Sequence, residues 1–321
     1  MPLASQKECR IAFVGGGAMA REHIRAFADI PGVTLAGIAN RTESKASALA
    51  TEFGLPFVTS AIDRLYEETK ADIVQVSVYE TAILPVMRQV LAHPWTVLME
   101  KPVGLNPTEA EAILDAASAS GRRVYVGLNR RAISSTRAVL EDVQDDPAPR
   151  YIRVQDQQSL ATARAIGHDE RVVETWMYAN SIHLVDYLLA FGRGSIASVD
   201  VIEPWRPRDP GVVIAKVTFS SGDIGLYEAI WNAPGPWACT VSTPRRRWEL
   251  RPLERASYVD AGSRTVVSVD PDPADLTYKP GFRRHAEWMV AAWNGEKTPL
   301  PNLAEGVAAM QLTQRIYEPH R

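Results

Sequence analysis

The chain has 321 residues, 46% apolar and 23% charged, enough for two globular domains that each bury a core. A formal net charge of −3 provides no overall basic field for nucleic acid or anionic lipid. No apolar run reaches the roughly eighteen residues a membrane span requires, so neither nucleic acid nor membrane is an expected partner. Two cysteines, Cys9 and Cys239, are too few for a disulfide framework and are not at metal-ligand spacing, so no metal site is expected. The opening MPLASQKECR lacks the apolar stretch of a signal peptide, which points to the cytoplasm.

In chain order, residues 10–14 (RIAFV) form a short apolar strand that stops at a glycine cluster, and 18–28 follow with helical spacing. Residues 33–39 (VTLAGIA) are a second strand, 42–53 a helix and 56–58 a brief third strand. Ser60 is placed to cap a helix over 61–70. A strand at 72–78, a helix at 81–93 and a strand at 95–100 come next. Asn106 caps a helix with Pro107 at its first position, running to about residue 120, and 123–128 form a sixth strand. Strand and helix alternating over short connections predict parallel pairing and an open, doubly wound sheet.

The second half has a different pattern. Residues 151–157 read as a strand, and 171–191 as one long helix ended by Gly192 and Gly194. Strand-like runs then follow at 198–202, 212–220, 223–230, 238–242, 247–250 and 265–269, with Ser221-Gly222 as a hairpin turn. Helices at 282–294 and 303–317 close the chain. The expected architecture is α/β: a nucleotide-binding domain of the Rossmann type over 1–126, then an α+β domain over 127–321 with a large, mainly antiparallel sheet.

Gly15-Gly16-Gly17-Ala18-Met19-Ala20 is a G-x-G-x-x-A turn directly after a strand and opening a helix. Gly15 permits the tight turn, Gly17 lets backbone approach a pyrophosphate, and Ala20 keeps helix and strand close. The free N–H groups at Ala18 and Met19 favour the anion. At the end of the second strand a carboxylate would hold the ribose 2′-OH of NAD; the chain has Ala39-Asn40-Arg41-Thr42, with no acid before Glu43. Arg41 can pair with a 2′-phosphate and Thr42 can donate to it, which favours NADP over NAD.

Glu100-Lys101-Pro102 ends the fifth strand. With VGGGAMA at 14–20, MEKPVGLN at 99–106, VGLNRR at 126–131 and SIHLVDYLL at 181–189, the whole chain resembles the Gfo/Idh/MocA oxidoreductases. The resemblance implies that Glu100 and Lys101 lie at the cofactor site, and that Lys101 lies beside the nicotinamide and hydrogen-bonds the reacting oxygen. It implies that His183 exchanges a proton with a substrate hydroxyl, oriented by Asp186. The family pattern D-x-x-x-H-x-x-D would put its first aspartate at residue 179, where this chain has Ala179, with Asn180 the nearest polar replacement. A T-P-N-like turn after the fourth strand is replaced by Val78-Tyr79-Glu80, so Val78 and Tyr79 are expected near the cofactor.

The resemblance also places Asn129 near the cofactor and Arg130 near substrate. Trp176 and Tyr178 are further substrate candidates, and the stretches 203–210 and 231–237 could supply aromatic walls. The implied activity is an NAD(P)-dependent dehydrogenase or reductase of a sugar, polyol or sugar derivative, acting as a homodimer or homotetramer. Two alternatives stay open: a non-catalytic cofactor-binding regulator of the same fold, which Ala179 favours, and an NAD-dependent glycosidase.

Overall fold

The computed structural model describes residues 8–318, so the first seven residues of the stretch read for a signal peptide lie outside them. The chain divides into two compact units, Met1–Asn129 with Thr277–Val307, and Arg130–Leu276 with Ala308–Arg321.

In the first unit, strands β1 (Cys9–Val14), β2 (Val33–Ala39), β3 (Val58–Thr59), β4 (Ile73–Val76), β5 (Thr96–Met99) and β6 (Val124–Val126) form one sheet. All pairs are parallel, in the order β3-β2-β1-β4-β5-β6. This is the doubly wound order, with its switch point between β1 and β4. The strands are short and almost wholly buried because helices cover a parallel sheet on both faces. The helices are α1 (Ala18–Ala28), α2 (Glu43–Phe53), α3 (Ile62–Thr69), α4 (Ile83–Val90) and α5 (Pro107–Ser120).

Two local readings need correction. Ser60 does not cap α3: Ala61 occupies that position, and its N–H donates to Thr59 Oγ1 at 3.1 Å. The helix expected over 81–93 is shorter, a 3₁₀ turn at Glu80–Ala82 followed by α4. Asn106 does cap α5, accepting from the Glu109 N–H at 3.0 Å, with Pro107 at the first position.

The second unit contains α6 (Ser134–Val143), β7 (Tyr151–Gln158), α7 (Leu160–Ala165), α8 (Glu170–Glu174), a π-helical segment at Met177–Ser181 and α9 (Ile182–Phe191). Strands β8 (Ile196–Glu203), β9 (Val212–Phe219), β10 (Ile224–Trp231), β11 (Ala238–Ser242), β12 (Arg246–Leu250), β13 (Ala256–Asp260) and β14 (Val267–Val269) follow. With β7 they make an eight-stranded sheet ordered β14-β13-β12-β11-β7-β10-β9-β8. Every pairing is antiparallel except β7 with β10. The β9–β10 hairpin turns at Ser221-Gly222, where the Gly222 N–H donates to the Phe219 carbonyl at 3.0 Å.

The chain ends with α10 (Pro273–Thr277), α11 (Phe282–Trp293) and α12 (Leu303–Tyr317). Residues 277–307, placed by the sequence in the second domain, belong to the first unit. There α11 buries Phe282, Ala286, Met289 and Ala292 in one cluster with Ile24 and Phe27 of α1. Each large side chain so buried contributes about 1.5–3 kcal/mol. The Val126 N–H also donates to the Pro301 carbonyl at 2.9 Å, tying this returning segment to β6.

Candidate functional site

The glycine turn leaves β1 at the switch point. Gly15 has φ of +122°, and a Cβ there would lie 1.9 Å from the Ser77 carbonyl oxygen, so no other residue fits. Gly17 is the N-cap of α1 and contributes no side-chain cap, so the first N–H groups of the helix, at Ala18 and Met19, receive no cap bond from it. A Cβ on Gly17 would meet nothing within 4 Å. The absence of a side chain therefore keeps open space over uncapped donors, a cradle that fits a pyrophosphate. Lys279 Nζ lies 3.3 Å from Met19 Sδ at the same helix end.

At the end of β2, Asn40 Nδ2 donates to the Thr42 carbonyl at 2.8 Å, while Arg41 and Thr42 are exposed and Glu43 begins α2. The positions that would meet a ribose or 2′-phosphate thus carry a cation and a hydroxyl. Val78 is half-buried after β4, and Tyr79 is 66% exposed.

Glu100-Lys101-Pro102 leaves β5 on the same sheet edge, with the Lys101–Pro102 peptide cis. Glu100 turns inward: Oε1 lies 2.6 Å from His23 Nε2, and Oε2 accepts the Lys101 N–H at 3.2 Å. Because a carboxylate only accepts, His23 Nε2 is assigned as the donor. Burial alone would raise the Glu100 carboxyl, but the His23 hydrogen bond and the nearby charges of His23 and Lys101 outweigh it and hold the group below its usual range. The turn continues into Leu105, whose N–H donates to Glu109 Oε2 at 2.9 Å. Asn129, expected near the cofactor, is buried, and its amide donates to the Pro280 carbonyl at 3.0 Å.

In the second unit the single helix expected over 171–191 is broken. Residues of α8 give way to the π-helical segment and then to α9. One cause is tertiary. Gln158, the last residue of β7, accepts through Oε1 from Trp176 Nε1 at 2.9 Å and from Asn180 Nδ2 at 2.8 Å. Its own Nε2 donates to Asp156 Oδ1 at 2.6 Å, and Tyr227 OH donates to Asp156 Oδ2 at 2.7 Å. Burial pushes the Asp156 carboxyl up, against the hydrogen bonds that Tyr227, Ser181 and Gln158 donate to it. Widened turns of this kind recur at functional sites, and they shift every later side chain around the axis. A regular helix of 3.6 residues per turn would set Asn180, His183 and Asp186 near one face; with the π-helical segment running to Ser181, that spacing holds between His183 and Asp186 of α9 but not back to Asn180.

His183 is 7% exposed, its ring centroid 6.3 Å from that of Trp237. Asp186 accepts a two-pronged pair from Arg131, Nε to Oδ2 at 2.9 Å and Nη2 to Oδ1 at 2.7 Å. The carboxylate assigned to orient the histidine thus has a guanidinium on both oxygens. Arg130 lies over the Trp237 ring at 5.4 Å and reaches Glu254 Oε1 at 3.3 Å. Ala179 is buried, and Tyr178 is buried with its hydroxyl 3.4 Å from Glu318 Oε2.

Arg131→Met is expected to destabilise the protein by about 3–5 kcal/mol, because it strips a buried carboxylate of its cation. Urea unfolding reads this; an unchanged midpoint would show that Asp186 does not depend on Arg131.

Nothing local in the sequence singles out His23 or Gln158. His23 lies three residues beyond the glycine motif, and nothing local marks a histidine there as the partner of a strand end. Gln158 is one glutamine among several.

Residues 9–128 match the family GFO_IDH_MocA, described as "Oxidoreductase family, NAD-binding Rossmann fold". The chain is 24% identical over 295 residues to D-xylose 1-dehydrogenase (NADP(+)) 2 of Haloferax volcanii, covering 88% of each. Among solved structures it resembles a dehydrogenase from Chromobacterium violaceum at TM-score 0.83 and 18% identity, covering 97% of this chain and 94% of that one. It also resembles UDP-N-acetylglucosamine 3-dehydrogenase from Acidithiobacillus ferrooxidans at TM-score 0.78 and 18% identity, covering 96% of each. The matched stretch holds both the glycine turn and the Glu100-Lys101-Pro102 turn, which leave the parallel sheet at one edge.

Proposed function

We propose that this chain is an NADP-preferring dehydrogenase or reductase acting on a hydroxyl or carbonyl carbon of a sugar, polyol or sugar derivative. The observation that carries the reading is that the glycine turn after β1 and Lys101 after β5 flank β4 at the carboxyl edge of one sheet. Open α/β sheets take their ligands at that edge. When bound, the nicotinamide accepts or supplies the hydride. Gly15, Gly17, Ala18 and Met19 hold the pyrophosphate, and Asn40, Arg41 and Thr42 meet the adenosine ribose and its 2′-phosphate.

Lys101 donates to the substrate oxygen and stabilises the negative charge that develops on it. His183 takes the hydroxyl proton in oxidation and returns it in reduction. Asn180 and Arg130 are assigned to substrate hydroxyls. Trp176, with its indole N–H already committed to Gln158, can offer only its ring face. The sugar class is supported by the names of the similar xylose and UDP-N-acetylglucosamine dehydrogenases.

A fluorescence titration with NADPH and NADH tests the cofactor choice. NADPH is expected to bind more tightly, and Arg41→Ala to weaken NADPH by about 10–100-fold with little effect on NADH, the loss of one charge-assisted pair. Equal affinities in the wild type would sink the 2′-phosphate assignment and leave the oxidoreductase reading standing. A second reading, a sensor that binds cofactor without turnover, draws on Ala179, which supplies no carboxylate ahead of His183. It predicts tight NADPH binding with no oxidation of NADPH across a panel of keto-sugars and no oxidation of sugars with NADP.

A further inference from the structure

Beneath the Lys101 turn lies a buried ionisable cluster that the proposed reaction does not use. Glu100 reaches back from the end of β5 to His23 on α1 at 2.6 Å, and its second oxygen accepts the Lys101 N–H at 3.2 Å. His23 in turn packs against Phe282 on α11, with ring centroids 4.6 Å apart. Room for the carboxylate is made by Gly127 after β6, where a Cβ would lie 3.1 Å from Glu100 Cδ and 3.2 Å from its Cα. A side chain in place of the glycine of V-G-L-N would thus crowd the Glu100 side chain.

A carboxylate placed this deep, with only 11% of its side chain exposed, is costly unless it is held. Here the holding group, His23, comes from α1, and the carboxylate it holds belongs to the residue immediately before Lys101. We propose that Glu100, held by His23, is a positioning residue for Lys101: it anchors the lysine backbone through its N–H and keeps a negative charge next to the ammonium.

The titratable groups around Glu100 are His23 from α1, His285 from α11 and Lys101 on its own turn. Burial, and then the His23 charge, push His285 down to about 3, so it stays neutral. His23 and Lys101 are left as the titratable groups that act on Glu100. The sign follows: a negative group beside an ammonium favours the protonated form, so removing the charge makes Lys101 lose its proton at lower pH.

The inference rests on the reading of Lys101 as a site residue, and one experiment separates the two. Trace acetylation of the full-length protein by acetic anhydride between pH 7 and 11, read at Lys101 by mass spectrometry, gives the midpoint of its deprotonation. Glu100→Gln is expected to lower that midpoint by about one pH unit. His23→Gln keeps a donor to Glu100 and leaves its charge in place, so the midpoint is expected to stay close to wild type. A purely structural role for Glu100 would not move the midpoint.

An unchanged midpoint in Glu100→Gln overturns the proposal. If Glu100→Gln does not fold, as judged by circular dichroism, the double variant Glu100→Leu with His23→Leu, which removes acceptor and donor together, decides: a midpoint equal to wild type overturns the proposal and a lowered one supports it. Saturating NADPH on the wild type is expected to protect Lys101 from acetylation. Equal labelling with and without NADPH would remove Lys101 from the cofactor site, whereas the midpoint shift would still report on Glu100.

Discussion

Lys101→Met is expected to lower kcat by about 10²–10³-fold, the range for loss of one donor aimed at developing oxyanion charge. The affinity for NADPH should stay within about threefold, because the contacts assigned to the pyrophosphate and 2′-phosphate come from other residues of the same edge. Methionine keeps the length and apolar stem of lysine, and the backbone N–H that Glu100 accepts is unaffected. The substitution therefore removes the ammonium and little else. Turnover of a sugar substrate followed by nicotinamide absorbance, beside a fluorescence titration with NADPH, checks both halves. Turnover within tenfold of wild type would take Lys101 out of the chemistry. A parallel collapse of NADPH binding would instead make the lysine a cofactor contact.

The second large effect is expected at the glycine turn, where two neighbouring glycines should fail in different ways. Gly15→Ala puts a methyl 1.9 Å from the Ser77 carbonyl oxygen, at a φ of +122° that side chains avoid. The backbone cannot yield easily. The Gly15 N–H is bonded to the Ala39 carbonyl and the Ser77 N–H to Val14, both at 2.8 Å, so shifting the turn disturbs β1, β2 and the exit of β4 together. A cost of about 3 kcal/mol or more is expected from strain plus overlap, with NADPH binding lost.

Gly17→Ala meets open space at an ordinary extended φ of −95°, so the unfolding midpoint should hardly move. Its methyl would nevertheless occupy the approach of a pyrophosphate, and NADPH affinity is expected to fall about tenfold or more. Thermal unfolding and NADPH titration on both variants read the contrast. Normal NADPH binding in Gly17→Ala would mean that the phosphates do not sit at the start of α1.

The sequence by itself determined those features that depend on residues close along the chain. The parallel strand series, the G-x-G-x-x-A turn, the Asn106 cap with Pro107 behind it and the Ser221-Gly222 hairpin each rest on a backbone conformation set within a few residues. The family resemblance likewise rests on short motifs, which is why the Lys101 turn could be singled out before its surroundings were known.

Tertiary structure decided the rest, because the deciding partners are far apart in sequence. His23 and Glu100 are 77 residues apart, Arg131 and Asp186 are 55, and Asn129 and the Pro280 carbonyl are 151. Residues 171–191 carry a helical pattern without interruption, yet the indole of Trp176 and the amide of Asn180 both bond Gln158 at the end of β7, and the backbone between them runs as a π-helix. The segment 282–293 shows an apolar helical face that names no partner; packing against α1, whose Ile24 and Phe27 share one buried cluster with it, places it in the first unit. Local periodicity says that a face must be buried, and long-range packing chooses against what.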